Sequence, residues 1–172
     1  ERMNNLIIEL LELAKSEGKS NVTYTEGNLS KTVELSLLTF EGIAYEKKIK
    51  IDYDIKDNIK MLMNENNIKE LVEILLDNAI KHSKENGKIK VILTENSKII
   101  ELTVTNEGEG IPSGEEEKIF ERFYRSDKSR DRSNSRFGLG LAIAKNIVTN
   151  HGGIVTAKSS EGQTTFKVLF KK

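Results

Sequence analysis

Three separated stretches hold the residue types that could act together on one ligand: Asn78, Gly108-Glu109-Gly110 and Gly138-Leu139-Gly140. An amide can lend its carbonyl oxygen to a hard cation, and magnesium, which keeps waters and substrate phosphates around it, needs few ligands from a protein. Lys81, three residues after Asn78, would then lean on a phosphate, and His82 would flank the base or ribose. Gly108 and Gly110 permit positive φ and close approach of main chain to a ligand, with Asn106 ahead of them to bond a base edge. Glycines directly before an apolar helical pattern leave N–H groups free at a helix start, where partial positive charge suits phosphate. Each stretch also has a plain reading: a buried amide bonded to a strand, a turn, a helix entry. Together, in this order, they read as a nucleotide pocket. The segment Phe137-Gly138-Leu139-Gly140-Leu141-Ala142-Ile143 lacks the third glycine of a Rossmann fingerprint and the Gly-Lys-Ser/Thr of a P-loop, which disfavours both common nucleotide folds.

The elements that must position these residues follow from hydrophobic periodicity. Residues 3–17, with Met3, Leu6, Ile7, Leu10, Leu11 and Ala14, form an amphipathic helix without a cap, as at the tail of a longer helix. Residues 18–27 are polar and loop-like. A helix over about 31–47 places Val33, Leu37, Phe40, Ile43 and Ala44 on one face. Alternation at Ile49, Ile51, Tyr53 and Ile55, and again at Ile59, Met61 and Met63, predicts strands. A helix over about 68–83 opens on Asn67 with Glu70, a pair resembling a capping box. Its apolar arc holds Leu71, Val72, Ile74, Leu75, Leu76 and Ala79, with Asn78 at the arc's edge and Asp77 four residues from Lys81 on the solvated side. Strands follow at 89–93 and 99–104, then a polar stretch over 113–136 of the kind that serves as a lid. A helix over 138–151 and two strands, 153–159 and 164–170, around Ser160-Glu161-Gly162, end the chain. The sum is a two-layer α/β sandwich: a mixed sheet of five or six strands covered by three helices.

Bulk composition narrows the function. The 172 residues suggest one domain, and 37% hydrophobic with 31% charged residues suits an ordinary core under a charged surface. Lysine plus arginine and aspartate plus glutamate both number 27, so no global field gathers nucleic acid. Without cysteine there is neither a disulfide framework nor a thiolate metal site. The longest apolar runs fall far short of a membrane span and no signal-peptide pattern opens the chain, which fits a cytoplasmic fragment without direct membrane contact.

The ordered stretches resemble the ATP-binding catalytic domain of bacterial two-component sensor histidine kinases, within the Bergerat-fold ATPase/kinase superfamily. Leu75-Leu76-Asp77-Asn78-Ala79-Ile80-Lys81-His82-Ser83 resembles the N box, and Asn106-Glu107-Gly108-Glu109-Gly110-Ile111-Pro112 the G1 box. Ile119-Phe120-Glu121-Arg122-Phe123-Tyr124-Arg125 resembles the F box of the ATP lid. Gly138 to Ile143 resembles the G2 box, and His151-Gly152-Gly153 the usual end of its helix.

The resemblance implies ATP and magnesium as ligands, with Asn78 on the metal. Lys81 and Arg125 would neutralise phosphate charge. His82, Asn106, Gly108, Gly110 and Ile111 would surround the base and sugar, and Gly138, Leu139, Gly140 and Leu141 would present N–H groups to the phosphates. Phe120, Phe123 and Tyr124 would anchor the lid, taken as about 113–137, with Phe120 at the nucleotide. Residues 1–18 would be the end of a dimerisation and phosphoacceptor helix, 19–28 a linker and 29–172 the catalytic domain. The implied partners are that upstream domain and a response regulator, in a homodimeric parent anchored in the membrane and facing the cytoplasm.

Departures from the family pattern are informative. Asn106 stands where an aspartate that reads the adenine amino group is common, so ATP binding is expected to be weaker. Ser135 and Arg136 replace glycines ahead of the G2 core. Ile74 stands one turn before Asn78, where hydrolysing members of the superfamily carry a glutamate base. That favours transfer over hydrolysis. Neither His82 nor His151 sits in a phosphoacceptor pattern, so the acceptor histidine lies upstream. Two other readings are a serine kinase of the anti-sigma-factor type and a scaffold that has lost nucleotide.

Overall fold

A computed structural model describes residues 23–124 and 138–172. Strand β1 (Thr25–Asn28) leads directly into helix α1 (Leu29–Glu46). Strands β2 (Lys50–Ile55) and β3 (Lys60–Met63) precede helix α2 (Glu65–His82). Strands β4 (Lys88–Glu95) and β5 (Ile99–Glu107) form a hairpin, and a short 3₁₀ turn covers Lys118–Phe120. Helix α3 (Gly140–Asn150) and strands β6 (Ile154–Ser160) and β7 (Gln163–Lys171) complete the described fold.

The main sheet has the order β2-β4-β5-β7-β6, with β2 parallel to β4 and every other pair antiparallel. The parallel pair requires a crossover, supplied by β3 and α2. Period-2 burial shows that one face is covered and the other is wet. In β4, Ile89, Val91 and Leu93 are fully buried while Lys88, Lys90 and Thr94 are exposed. Leu102, Val104, Phe166 and Val168 continue the same inner layer on β5 and β7, and α2 closes it with Leu71, Leu75 and Leu76. The expected α/β sandwich is therefore present, as a five-stranded mixed sheet beneath three helices.

Several boundaries differ from the sequence expectation. The polar stretch ahead of residue 28 contains β1, which pairs antiparallel with β3 in a separate two-stranded sheet. Its sequence, Thr-Glu-Gly-Asn, carries no hydrophobic alternation, so only its partner strand makes it visible. Asn28 caps α1 by accepting from the N–H of Lys31 at 3.0 Å, which starts that helix at Leu29. Asn64, not Asn67, caps α2: its side chain accepts from the N–H of Asn67 at 3.0 Å. The first turn of α2 is polar, so the apolar period becomes legible only at Ile68, after the helix has begun. Ile43, expected on the inner face of α1, is 44% exposed. Strand β5 runs three residues past Val104, because Thr105, Asn106 and Glu107 pair with Thr165, Thr164 and Gln163.

Candidate functional site

The base end of the site is built by the last turn of α2, the end of β5 and the β6–β7 hairpin. Ile100, Leu102, Val104 and Asn106 share the inner face of β5, and Asn106 is 1% exposed. Its cross-strand neighbour is Thr164, also buried, whose own neighbour on β6 is Ser159. The next row inward is Val104, Phe166 and Ala157, wholly apolar. One edge of a greasy face thus ends in a polar row. Ser159 is committed within it. Its hydroxyl donates to the carbonyl oxygen of Gln163 at 3.1 Å and accepts from the N–H of Ile111 at 3.0 Å. Asn106 is not: neither Oδ1 nor Nδ2 has a hydrogen-bond partner among the described residues. A buried amide left so costs about 1–3 kcal/mol, which a ligand with the complementary edge would recover.

The loop after Asn106 is held rather than loose. The N–H of Gly108 donates to the carbonyl oxygen of Gly162 at 2.9 Å, and that of Lys84 to the carbonyl oxygen of Glu107 at 2.9 Å. Ser83 and Gly108 form a bridge between α2's exit and this loop. A side chain at Gly108 would collide with the backbone carbonyl of His82. At Gly110, φ is +80° and a Cβ would lie 2.6 Å from Ser159 Oγ. Both glycines are therefore required for close packing and turning, and the backbone pays no side-chain volume on the side that faces Asn106.

On α2, Asn78 is half-buried and Ala79 beside it fully buried. Lys81 forms an ion pair with Asp77 at 2.6 Å, each side chain about a third exposed. His82 is exposed, and its contribution to the base end is its backbone carbonyl. Among the described residues no cluster of three or more His, Cys, Asp or Glu could cage a metal. A site made of one amide oxygen with phosphates and water fits magnesium, which rarely takes an all-protein cage.

The end of the site expected to hold phosphate is the start of α3. Leu139 precedes the helix with no side-chain cap, and the first intrahelical bond runs from the N–H of Ile143 to the carbonyl of Leu139 at 2.9 Å. The N–H groups of Gly140, Leu141 and Ala142 thus meet no helical carbonyl, as at any helix start. Leu139 is fully buried and Leu141 packs against the core, so the start is fixed from beneath. Gly138 has φ +79° and accepts through its carbonyl from the N–H of Phe123 at 3.1 Å. That bond joins the lid to the phosphate cradle. Phe120, expected at the nucleotide, is 6% exposed and lies edge-on to Phe166 with centroids 6.2 Å apart. Its ring belongs to the hydrophobic core. Phe123 is 54% exposed. Ile74 is buried, and its Cγ2 would lie 3.6 Å from a Cβ built on Gly140, so α2 and the cradle touch where a glutamate base would stand.

The far end of α3 is capped by His151. Nδ1–H donates to the carbonyl of Ile147 at 2.7 Å and Nε2 accepts from the N–H of Asn64 at 3.1 Å, which fixes one neutral tautomer. Burial lowers the His151 pKa, partly opposed by its bond to Ile147. The sequence expectation assigned nothing to Thr164 and Ser159. The available signal was a hydroxyl at the inward register of each hairpin strand. Arg125, residues 1–18, Ser135 and Arg136 lie outside the described residues.

A five-stranded mixed sheet capped by three helices, with an amide at one strand end unpartnered among the described residues, a glycine loop locked to a helix exit and a helix start without a side-chain cap, is a sandwich of the non-Rossmann, non-P-loop kind. The family described as "Histidine kinase-, DNA gyrase B-, and HSP90-like ATPase" matches residues 63–172, more than half of the chain. The signal transduction histidine-protein kinase ArlS of Staphylococcus aureus (strain USA300) is 39% identical over 177 residues, 98% of this chain and 38% of that protein. The sensor protein DltS of Streptococcus agalactiae serotype III is 36% identical over 168 residues, 97% of this chain and 42% of that protein. The chain thus spans about two-fifths of the length of these relatives. The catalytic domain of the histidine kinase ThkA matches with a TM-score of 0.74 at 28% identity, over 87% of this chain and 97% of that one. ThkA in complex with the response regulator protein TrrA matches with a TM-score of 0.78 at 27% identity, over 99% of this chain and 47% of that one. The chain belongs to this ATPase family and, within it, to the catalytic domains of two-component sensor histidine kinases.

Proposed function

We propose that this domain binds ATP with magnesium and passes the γ-phosphoryl group to a histidine on a preceding dimerisation domain, from which a response regulator receives it. The observation that carries the nucleotide reading is Asn106, an amide 1% exposed with neither polar atom bonded, beside a glycine loop that leaves it room. Asn78 would hold the magnesium through its carbonyl oxygen. When bound, the ion supplies positive charge against the phosphates. Lys81 supports the phosphates by exchanging its ion pair with Asp77, an exchange that costs little because such part-exposed pairs contribute under about 1 kcal/mol. The uncapped start of α3 receives phosphate oxygens on its N–H groups. Arg125 adds a second cation from the lid. Phosphoryl transfer requires positioning and charge neutralisation more than covalent help, so no side chain of this domain need act as a general base. Buried Ile74 offers no carboxylate to activate water, which supports transfer over hydrolysis.

The rest of the proposal concerns the whole protein. In this proposal residues 1–18 come from the dimerisation domain, 19–24 connect it to the catalytic unit, which β1 extends back to Thr25 where a linker over 19–28 was expected, and 113–137 serve as the lid. The parent is a homodimer anchored in the membrane with this domain on the cytoplasmic side. Among the described residues no helix is long and apolar enough to cross a membrane.

Calorimetric titration of ATP with and without magnesium, with phosphate assayed in the same samples, tests the reading. Binding should need magnesium and release no phosphate, and Asn78→Ala should weaken it at least about tenfold, the worth of one bond to a charged group. Absence of binding at millimolar ATP would refute it.

A further inference from the structure

The unbonded amide of Asn106 has a consequence for which purine the site accepts. A carboxylate at this position could only accept hydrogen bonds, whereas an amide carries one acceptor and two donors on a group that can be turned over about its terminal torsion. Which way it points is decided by neighbours, and here neither Oδ1 nor Nδ2 has a partner among the described residues. The adjoining side chains on its own sheet face impose no choice. Ile89, opposite on β4, has no polar atom, and Thr164, opposite on β7, turns its hydroxyl toward Ser159 Oγ at 3.4 Å and makes no bond to Asn106. Ser159 is already bonded to Gln163 and Ile111. The amide is thus buried at 1% exposure yet free to present either polarity.

Purines come with two opposite edges. A 6-aminopurine offers an N6–H donor beside the N1 acceptor. A 6-oxopurine offers an O6 acceptor beside an N1–H donor. Oδ1 with Nδ2–H matches the first, and the same amide turned over matches the second. We infer that Asn106 makes this a purine site of relaxed specificity, which takes 6-oxopurine nucleoside triphosphates as well as ATP. This rests on the nucleotide reading above. An aspartate here would set its oxygens against O6 and exclude that class. Sites built to bond one polarity reject the mismatched ligand by roughly 10⁴-fold, which is the discrimination Asn106 forgoes.

The test is calorimetric titration of this chain with magnesium and either ATP or inosine triphosphate, a 6-oxopurine without a 2-amino group. The ratio of the two dissociation constants should lie within about thirtyfold for the wild type, well inside the usual discrimination. Asn106→Asp should bind ATP more tightly and raise the ratio at least about tenfold. Wild-type binding of ATP with a larger ratio overturns the inference while leaving the ATP reading intact, and so does a ratio that Asn106→Asp leaves unchanged. If neither nucleotide binds, the underlying reading fails and this one with it. Should a thermal melt show that Asn106→Asp does not fold, the wild-type ratio decides alone.

Discussion

The base end and the phosphate end of the site are built by opposite means. At the base end a glycine is fixed by backbone on both sides: the His82 carbonyl stands where a side chain would go, and the N–H of Gly108 is tied to Gly162. The polar groups there belong to strands, so their positions are set by ladder register. At the end proposed for phosphate, the candidate donors are the first N–H groups of α3, which have no side-chain cap among the described residues and follow a positive-φ glycine bonded to Phe123. One end is a rigid slot that a ligand enters. The other is an open helix terminus that a ligand and its cation complete. On the proposed function, recognition of the base would depend on a fold already formed, and phosphate binding on charges brought together at the moment of binding.

Substitutions at the glycines break this comparison most directly. Gly108→Ala forces a methyl group into a backbone carbonyl held by α2, and should destabilise the domain by about 2–3 kcal/mol while abolishing ATP binding. A thermal midpoint within a degree of wild type would show that the slot yields. Gly138→Ala is next, because an L-residue at φ +79° is strained and its Cβ would lie 2.7 Å from the carbonyl oxygen of Tyr124. About 1–2 kcal/mol should be lost, read as a lower urea midpoint at unchanged slope.

Gly140→Ala sharpens the contrast. Its Cβ would meet only Ile74 Cγ2 at an ordinary 3.6 Å. Alanine should stabilise α3 by about 0.5–1 kcal/mol, yet weaken ATP binding by crowding the phosphates. A higher melting temperature with unchanged affinity would mean that phosphate does not approach the main chain there.

The smallest effect concerns the other end of α3. Burial holds the His151 pKa below its ordinary value near 6.5, so the unfolded chain takes up a proton that the folded chain refuses. This contribution to stability is fully present above pH 6.5 and is lost as pH falls from there through the lowered folded value. His151→Gln should remove that part of the pH dependence, leaving the carboxylate part at lower pH. Parallel profiles for the two proteins across this window would dismiss the linkage.

Much of the fold was legible because burial on one face imposes a period. The arc of α2 from Leu71 to Ala79 and the alternation of Ile89, Val91 and Leu93 are inner-layer residues as expected. The placement of Asn78 on a helix, of the paired glycines after a strand and of Gly138-Leu139-Gly140 at a helix start was likewise legible from residue type and spacing. Strand β1 could not be read, because four polar residues become a strand only through pairing with β3. The start of α2 at Asn64 was hidden by a first turn with no apolar face.

What the sequence alone determined was the cast of residue types: an amide in a helix, paired glycines after a strand, glycines at a helix start, and Ile74 one turn before Asn78. What tertiary structure alone decided was the company these residues keep. Register put Asn106 in a strand next to Thr164, with no partner for its amide among the described residues. Packing made Phe120 a core ring. Periodicity reports which side of an element is buried, whereas the donor or acceptor that meets a buried polar atom comes from a distant part of the chain.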